Sequence, residues 1–266
     1  MTKLGNSFLN KPIVFIVLLL SLFSGPAQSV SFDIISASPI GSWQSREQIE
    51  INHKGKKTGT KVNTSMVGKE KRDGQLYYWV EMKIDTFKIN KKGKRKPVGK
   101  TAIIKSLVPA TAFKEDPENV VNNLRAFGLE TIIQNGNEQP IRMTSSGGIM
   151  SSAMKIANVE IKHDYKELGS ETVTVAAGEF NALKVSGQGT VTTKILFKKM
   201  KVESDSTAWV SKEVPFGIVK MIGTTLTNGK KSTQSAELLE YGLSGAKSEI
   251  TQEPQTMPSL KNMFGG

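Results

Sequence analysis

Between Leu76 and Ile89 apolar side chains fall on alternate positions, with Tyr78, Val80, Met82, Ile84 and Thr86 on one side and Tyr77, Trp79 and Glu81 on the other. Period-two alternation over that length specifies a half-buried strand, because successive side chains of extended backbone point to opposite faces. The strand sits among others of its kind. Gln48 to Asn52 carries Ile49 and Ile51 at period two, Thr60 to Gly68 is rich in Thr and Val, and Thr101 to Val108 is again apolar. Arg72-Asp73-Gly74 and the Lys-rich segments around Gly55 and Lys91 to Lys96 punctuate them as turns, which predicts an antiparallel meander with basic hairpin tips.

After Val159 the alternation returns. Strands are expected at Glu171–Val175 and Phe180–Val185 about a turn at Ala177-Gly178, then at Thr190–Phe197, Thr207–Ser211, Ile218–Leu226 and Ser232–Glu240. Asn228-Gly229 joins the last two, and Asn-Gly between alternating runs is a strong hairpin signal.

Two helices are expected between these strand regions. In the first, Asp116 can cap, Pro117 suits the first turn and Glu118 complements the helix dipole. Val120, Val121, Leu124 and Phe127 recur at helical spacing, and Leu129, Ile132 and Ile133 extend the apolar content to Asn135. The second spans Gly148 to Asn158, with Ile149, Met150, Ala153, Met154 and Ala157 on one face. The fold class expected is therefore mainly β with two helices (α+β), a curved antiparallel sheet whose open face the helices cover.

Ahead of this domain, Lys3 and Lys11 precede an apolar run from Ile13 to Phe23, and Gly25-Pro26 and Ala27-Gln28-Ser29 follow. That layout predicts a secretory signal peptide over residues 1–29, its apolar run being too short to span a bilayer. A single β-rich domain over 30–243 and a Ser/Pro/Gln/Gly-rich, disordered tail over 244–266 complete the expected organisation. Loss of Lys3 and Lys11 takes the formal charge from +12 to +10. An exported chain of that charge meets phospholipid headgroups, lipopolysaccharide phosphates and wall polymers, not nucleic acid. The chain has no cysteine, which excludes disulfides, thiolate metal sites and a cysteine-linked lipid anchor. The expected location is the periplasm.

Part of the C-terminal half carries a family pattern. Gly169-Ser-Glu171-Thr-Val-Thr-Val-Ala-Ala-Gly178-Glu-Phe180-Asn-Ala-Leu-Lys-Val185 resembles the "ET-V-V-AG-F-A-KV" hairpin of exported bacterial proteins with a LolA/LolB-like, lipoprotein-carrier-like fold. Trp209-Val-Ser-Lys-Glu-Val-Pro215-Phe-Gly217-Ile-Val-Lys220 and Glu237-Leu-Leu-Glu-Tyr-Gly242 resemble the segments that follow in them. The resemblance covers Gly169–Gly242. It implies an unclosed β-barrel wrapped on a helical plug, and an apolar concave face that takes acyl chains.

Two groups of candidate site residues follow. Val121, Leu124, Phe127, Ile149, Met150 and Met154 are the candidates for lining a ligand cavity, the methionines because thioethers adapt to variable chains; the same residues serve equally as packed core. Lys54, Lys56, Lys57, Lys91, Lys92, Lys94, Arg95 and Lys96, with Lys230 and Lys231, are the candidates for contact with an anionic surface. Lysines on tips also discourage edge-to-edge pairing, which is a sufficient reason for them to be there.

Catalysis has no signature. His53 sits in a basic turn, and His163 lies three residues after Glu160, which puts the two on opposite faces of a strand. No nucleophile elbow, zinc-binding His pair, phosphate loop or complete dinucleotide fingerprint is present. No cofactor or metal is implied. The function expected is non-catalytic binding of a lipid or other amphipathic ligand, with an accessory or scaffold role beside a protein partner as the alternative.

Overall fold

The computed structural model describes residues 38–110, 130–144, 160–195 and 198–256. They form one 13-stranded sheet. Its strands are β1 (Trp43–Ile51), β2 (Lys57–Arg72), β3 (Gln75–Ile89), β4 (Arg95–Pro97), β5 (Ala102–Pro109), β6 (Glu130–Asn135) and β7 (Ile141–Thr144), then β8 (Glu160–Val175), β9 (Gly178–Ile195), β10 (Lys198–Val210), β11 (Ile218–Thr227), β12 (Lys230–Gly242) and β13 (Gln255–Thr256). The order across the sheet is β13-β7-β6-β5-β3-β2-β1-β12-β11-β10-β9-β8, with β4 on β3. Pairing is antiparallel throughout except between β13 and β7.

The turn signals act as expected. Asp73-Gly74 and Asn228-Gly229 both hold positive φ at their two residues, the geometry that matches a two-residue turn to the twist of its strands. The expected strands of the meander and those after Val159 all fall on observed strands, but β8 and β10 begin at Glu160 and Lys198, well before Glu171 and Thr207, and the short β4 lies in the segment expected as a basic turn. The segment expected at Phe180–Val185 and the one expected at Thr190–Phe197, as far as Ile195, are parts of one long β9, whose Gly187 and Gly189 interrupt the apolar pattern without ending the strand.

The α+β expectation is corrected. Among the described residues there is no α-helix, and no helical plug is seen. The final stretch of the first expected helix is β6, paired with β5 from Ala102↔Asn135 to Leu107↔Glu130. Ile132 and Ile133 satisfy a helical spacing, but Thr131-Ile132-Ile133 is a β-branched run that favours extended backbone. The remainder of that expected helix, up to Leu129, and the whole of the one expected at Gly148–Asn158 lie outside the described residues.

Register assigns the side chains to two faces. One, here the apolar face, carries Val62, Ile84 and Ile104 as a buried cluster with Met82 and Ala102. Further along it, Ala208 and Val210 pack with Met221. Beside them the β8–β9 tip folds back onto β12. Ala177 N–H donates to the Leu238 carbonyl (3.4 Å), Phe180 meets Tyr241 edge-on at 5.9 Å, and Phe180, Val214, Val219 and Leu238 form a third cluster. Two strands lie between β9 and β12 in the sheet order, so this half is strongly rolled.

The other face, here the polar face, mixes polar residues with Ile103, Leu107 and Ile132 and is covered over β3, β5 and β6 by the segment after β12. Ala246 N–H donates to Gly41 O (2.9 Å), Ser248 Oγ and Glu249 N–H donate to the two oxygens of Glu81 (2.6 and 2.8 Å), and Gln255 N–H donates to Pro140 O (2.9 Å). Residues 244–256, set apart by composition as a tail, thus cross the sheet as a strap that ends in β13. Under it Glu81 is only 4% exposed, which explains how a carboxylate sits among Ile103, Leu107 and Ile132.

Candidate functional site: a basic edge and a polar seam

The basic tips are built by a repeated device. In the β1–β2 loop Asn52 Oδ1 accepts from the amides of Lys54 (2.9 Å) and Lys56 (3.0 Å). In the β3–β4 loop Asn90 Oδ1 accepts from Lys92 and Lys94 (2.9 Å each). Both loops read Asn-x-Lys-Gly-Lys, with Gly55 and Gly93 at φ +72° and +77°. The asparagine closes the turn through the backbone and glycine supplies the left-handed step, so the lysine side chains are left to solvent.

Sheet order then gathers these tips. Lys57 pairs with Ile89, Ile51 with Thr233 and Thr227 with Lys230, so the β1–β2, β3–β4 and β11–β12 tips project from the same end of the sheet. Lys54, Lys56 and Lys57 of the first, Lys91, Lys92, Lys94, Arg95 and Lys96 of the second, and Lys230 and Lys231 of the third are all exposed. Arg95 is paired with Glu47 (Nη2–Oε1 2.9 Å) and lies 4.8 Å over the Phe87 ring. The other members of this edge form no ion pair among the described residues, which leaves a strongly positive rim. His53 lies in the first tip, exposed, and no metal-binding group occurs among the described residues.

A second feature was not singled out in the sequence. Ile49 and Ile51, the residues that mark β1 as a strand, point to the polar face. The alternate set Gln44, Arg46, Gln48 and Glu50 therefore faces the apolar side as a polar seam. Arg46 stands between Val62 of β2 and Leu238 of β12, which are 4% and 0% exposed. Its Nε is sealed from solvent without a hydrogen-bond partner, as is Oε1 of Gln44. Gln48 instead bonds across to Gln234 (Nε2 to Oε1, 3.3 Å). Burial pulls the Arg46 guanidinium down to about 10, so it is still cationic at neutral pH. On the same face, burial pushes the Tyr165 phenol up to about 12.

Two open recesses lie on the polar face. One of about 430 Å³ is floored by Ile49, Ile51, Thr207, Ile222 and Ser235, and one of about 530 Å³ by Lys162, Gln188, Glu203 and Leu226. The cavity candidates Val121, Leu124, Phe127, Ile149, Met150 and Met154 lie outside the described residues. Among the described residues no helix is long and apolar enough to cross a membrane.

No family model matches the chain, and no curated protein is similar to it. Among solved structures it is similar to an exported-protein candidate with a YmcC-like fold from Bacteroides fragilis, at 12% identity over 77% of this chain and 97% of that one, with a TM-score of 0.36. It is also similar to a lipoprotein candidate from Parabacteroides distasonis, at 14% identity over 77% and 96%, with a TM-score of 0.34. At such scores neither likeness assigns a fold or an activity to this chain.

Proposed function

We propose that the chain is an exported, non-catalytic protein of the cell envelope. It binds a lipid or other amphipathic ligand on its apolar face and meets an anionic surface with its basic edge. The observation that carries the reading is the alignment of three basic hairpin tips at one end of one sheet. Each Lys or Arg held near an anionic leaflet contributes about 1 kcal/mol, so several acting together suffice for reversible docking at low salt. The lipid part of the reading rests on the resemblance over Gly169–Gly242, and each ligand methylene buried contributes about 0.8 kcal/mol.

The test is co-sedimentation with vesicles of phosphatidylglycerol and phosphatidylcholine, compared with phosphatidylcholine alone. Binding to the anionic vesicles only, falling as salt is raised, is expected. Equal association with both, or none at low salt, removes the docking edge from the account.

A protein partner is the second reading, and one observation favours it. Ile222 and Leu226 are 43% and 36% exposed at the recesses on the polar face, where an apolar partner residue would fit.

A further inference from the structure

The two ends of the sheet differ in charge in a way that exposed turns alone do not explain. At one end the three basic tips hold no acid: no Asp or Glu occurs in 51–57, 88–97 or 226–233. At the other end the β2–β3, β8–β9 and β10–β11 connections mix signs, with exposed Asp73, Glu179 and Glu213 beside Arg72 and Lys212. Solvation favours charge at every tip, but it does not favour one sign at one end, where like charges repel.

Register sets the basic tips out as a row. Ile51 pairs with Lys57 and with Thr233, and Lys57 pairs with Ile89. The first two loops therefore leave the sheet at one level, and Lys230 and Lys231 stand just beyond it. In the order β4, β3, β2, β1, β12, β11 each tip is centred two strands from the next. That spacing is about 10 Å between neighbours and about 19 Å between the outer two.

The chemistry of the row limits its partner. Arg95, its one guanidinium, is engaged by Glu47. The remaining cations are lysine ammoniums, which are compact, strongly hydrated and without the planar fork that reads a single carboxylate or phosphate. Residues 52–57, 90–96 and 228–231 contain no apolar or aromatic side chain other than His53, so the tips have no wedge for a bilayer and no ring platform for bases. Point charges in line gain most from one chain that carries anions past all three tips, because binding at the first raises the effective concentration at the next. We infer that the basic edge binds a linear phosphate polymer of the cell envelope, laid across the β3–β4, β1–β2 and β11–β12 tips.

The inference rests on the anion-docking half of the proposed function and narrows its partner from any anionic surface to a linear chain. It is independent of the lipid half.

Calorimetric titration of the full-length chain, purified after export without detergent, with tripolyphosphate, long-chain polyphosphate and phosphatidylglycerol vesicles tests it. Per phosphate, the long chain should bind at least about tenfold more tightly than the vesicles or than tripolyphosphate, which reaches a single tip. Joint replacement of Lys54, Lys56 and Lys57 by Gln removes the charge of the middle tip, and of Lys230 and Lys231 by Gln that of an outer one. Each variant should weaken the long chain about tenfold and flatten its salt dependence, while changing tripolyphosphate about twofold at most. A thermal melt of each variant establishes that it is folded. A long chain bound no more tightly per phosphate than tripolyphosphate, or unaffected by both variants, overturns the array and leaves anion docking by single tips. Vesicles bound as tightly as the long chain overturn the polymer and leave a leaflet as the partner. No binding of polymer or vesicles at low salt overturns both this inference and the anion-docking reading.

Discussion

Arg46, Gly59 and Glu171 each carry a prediction that follows from their immediate surroundings. Arg46 has its Nε sealed from solvent without a partner and forms no ion pair among the described residues; Arg46→Met should raise the unfolding free energy by about 1–3 kcal/mol. A lower melting temperature for that variant would mean that the guanidinium is structurally paired. At Gly59 an added methyl carbon would overlap Cε2 and Cζ of Phe87, whose ring also carries the Arg95 guanidinium 4.8 Å from its centre. The gain in strand propensity from Gly59→Ala is smaller than the cost of displacing that stack, so a net loss of about 1–3 kcal/mol in denaturant melts is expected. Unchanged stability would show the ring free to move.

Glu171 accepts a hydrogen bond from Trp209 Nε1 (2.6 Å), and that bond, followed by Lys184, holds its carboxyl below the ordinary carboxylate value. A depressed carboxyl stabilises the fold above its unfolded value, and the contribution is lost as pH falls through the folded one. Trp209 emission should therefore change only on acidification below the usual carboxylate range. A change near neutral pH would contradict the pairing.

At the scale of elements, hairpins were legible where turn chemistry and alternation agreed, as at Asp73-Gly74 and Asn228-Gly229. Alternation misleads in β1. Its isoleucines were the visible signal, yet they face the recess, and it is Gln44, Arg46 and Gln48 that face the apolar side. A strand with one polar and one apolar set does not declare which faces the core; its neighbours' register does. β6 was misread because Leu129, Ile132 and Ile133 fit a helix, and only the β-branched run and a free edge on β5 argue otherwise. The strap was hidden for a different reason. Residues 244–256 hold few apolar residues, and they are placed by hydrogen bonds to a buried carboxylate that composition does not reveal. Ser248→Ala removes one of the two bonds to Glu81 and should cost about 1.5–3 kcal/mol, since the acceptor is charged and buried. Equal melting of wild type and variant would mean that the strap does not hold Glu81.

At the scale of the whole molecule, an order in which β3, β2, β1, β12 and β11 are neighbours converts separate basic turns into one edge. Residue types announced the cations, but only the sheet order shows that tips distant in sequence share an end. Replacing Lys91, Lys92, Lys94 and Lys96 together by Glu should leave the fold intact, since all four are exposed, and should reduce anionic-vesicle binding at least tenfold at low salt. Retained binding would place the contact elsewhere.

The central claim is that the apolar face carries an amphipathic ligand. It is tested most directly by native mass spectrometry of the protein purified from its native host without detergent, followed by solvent extraction. The account predicts a co-purifying amphiphile at one per chain in the extract. A bare polypeptide that stays unliganded after incubation with envelope lipids would contradict it.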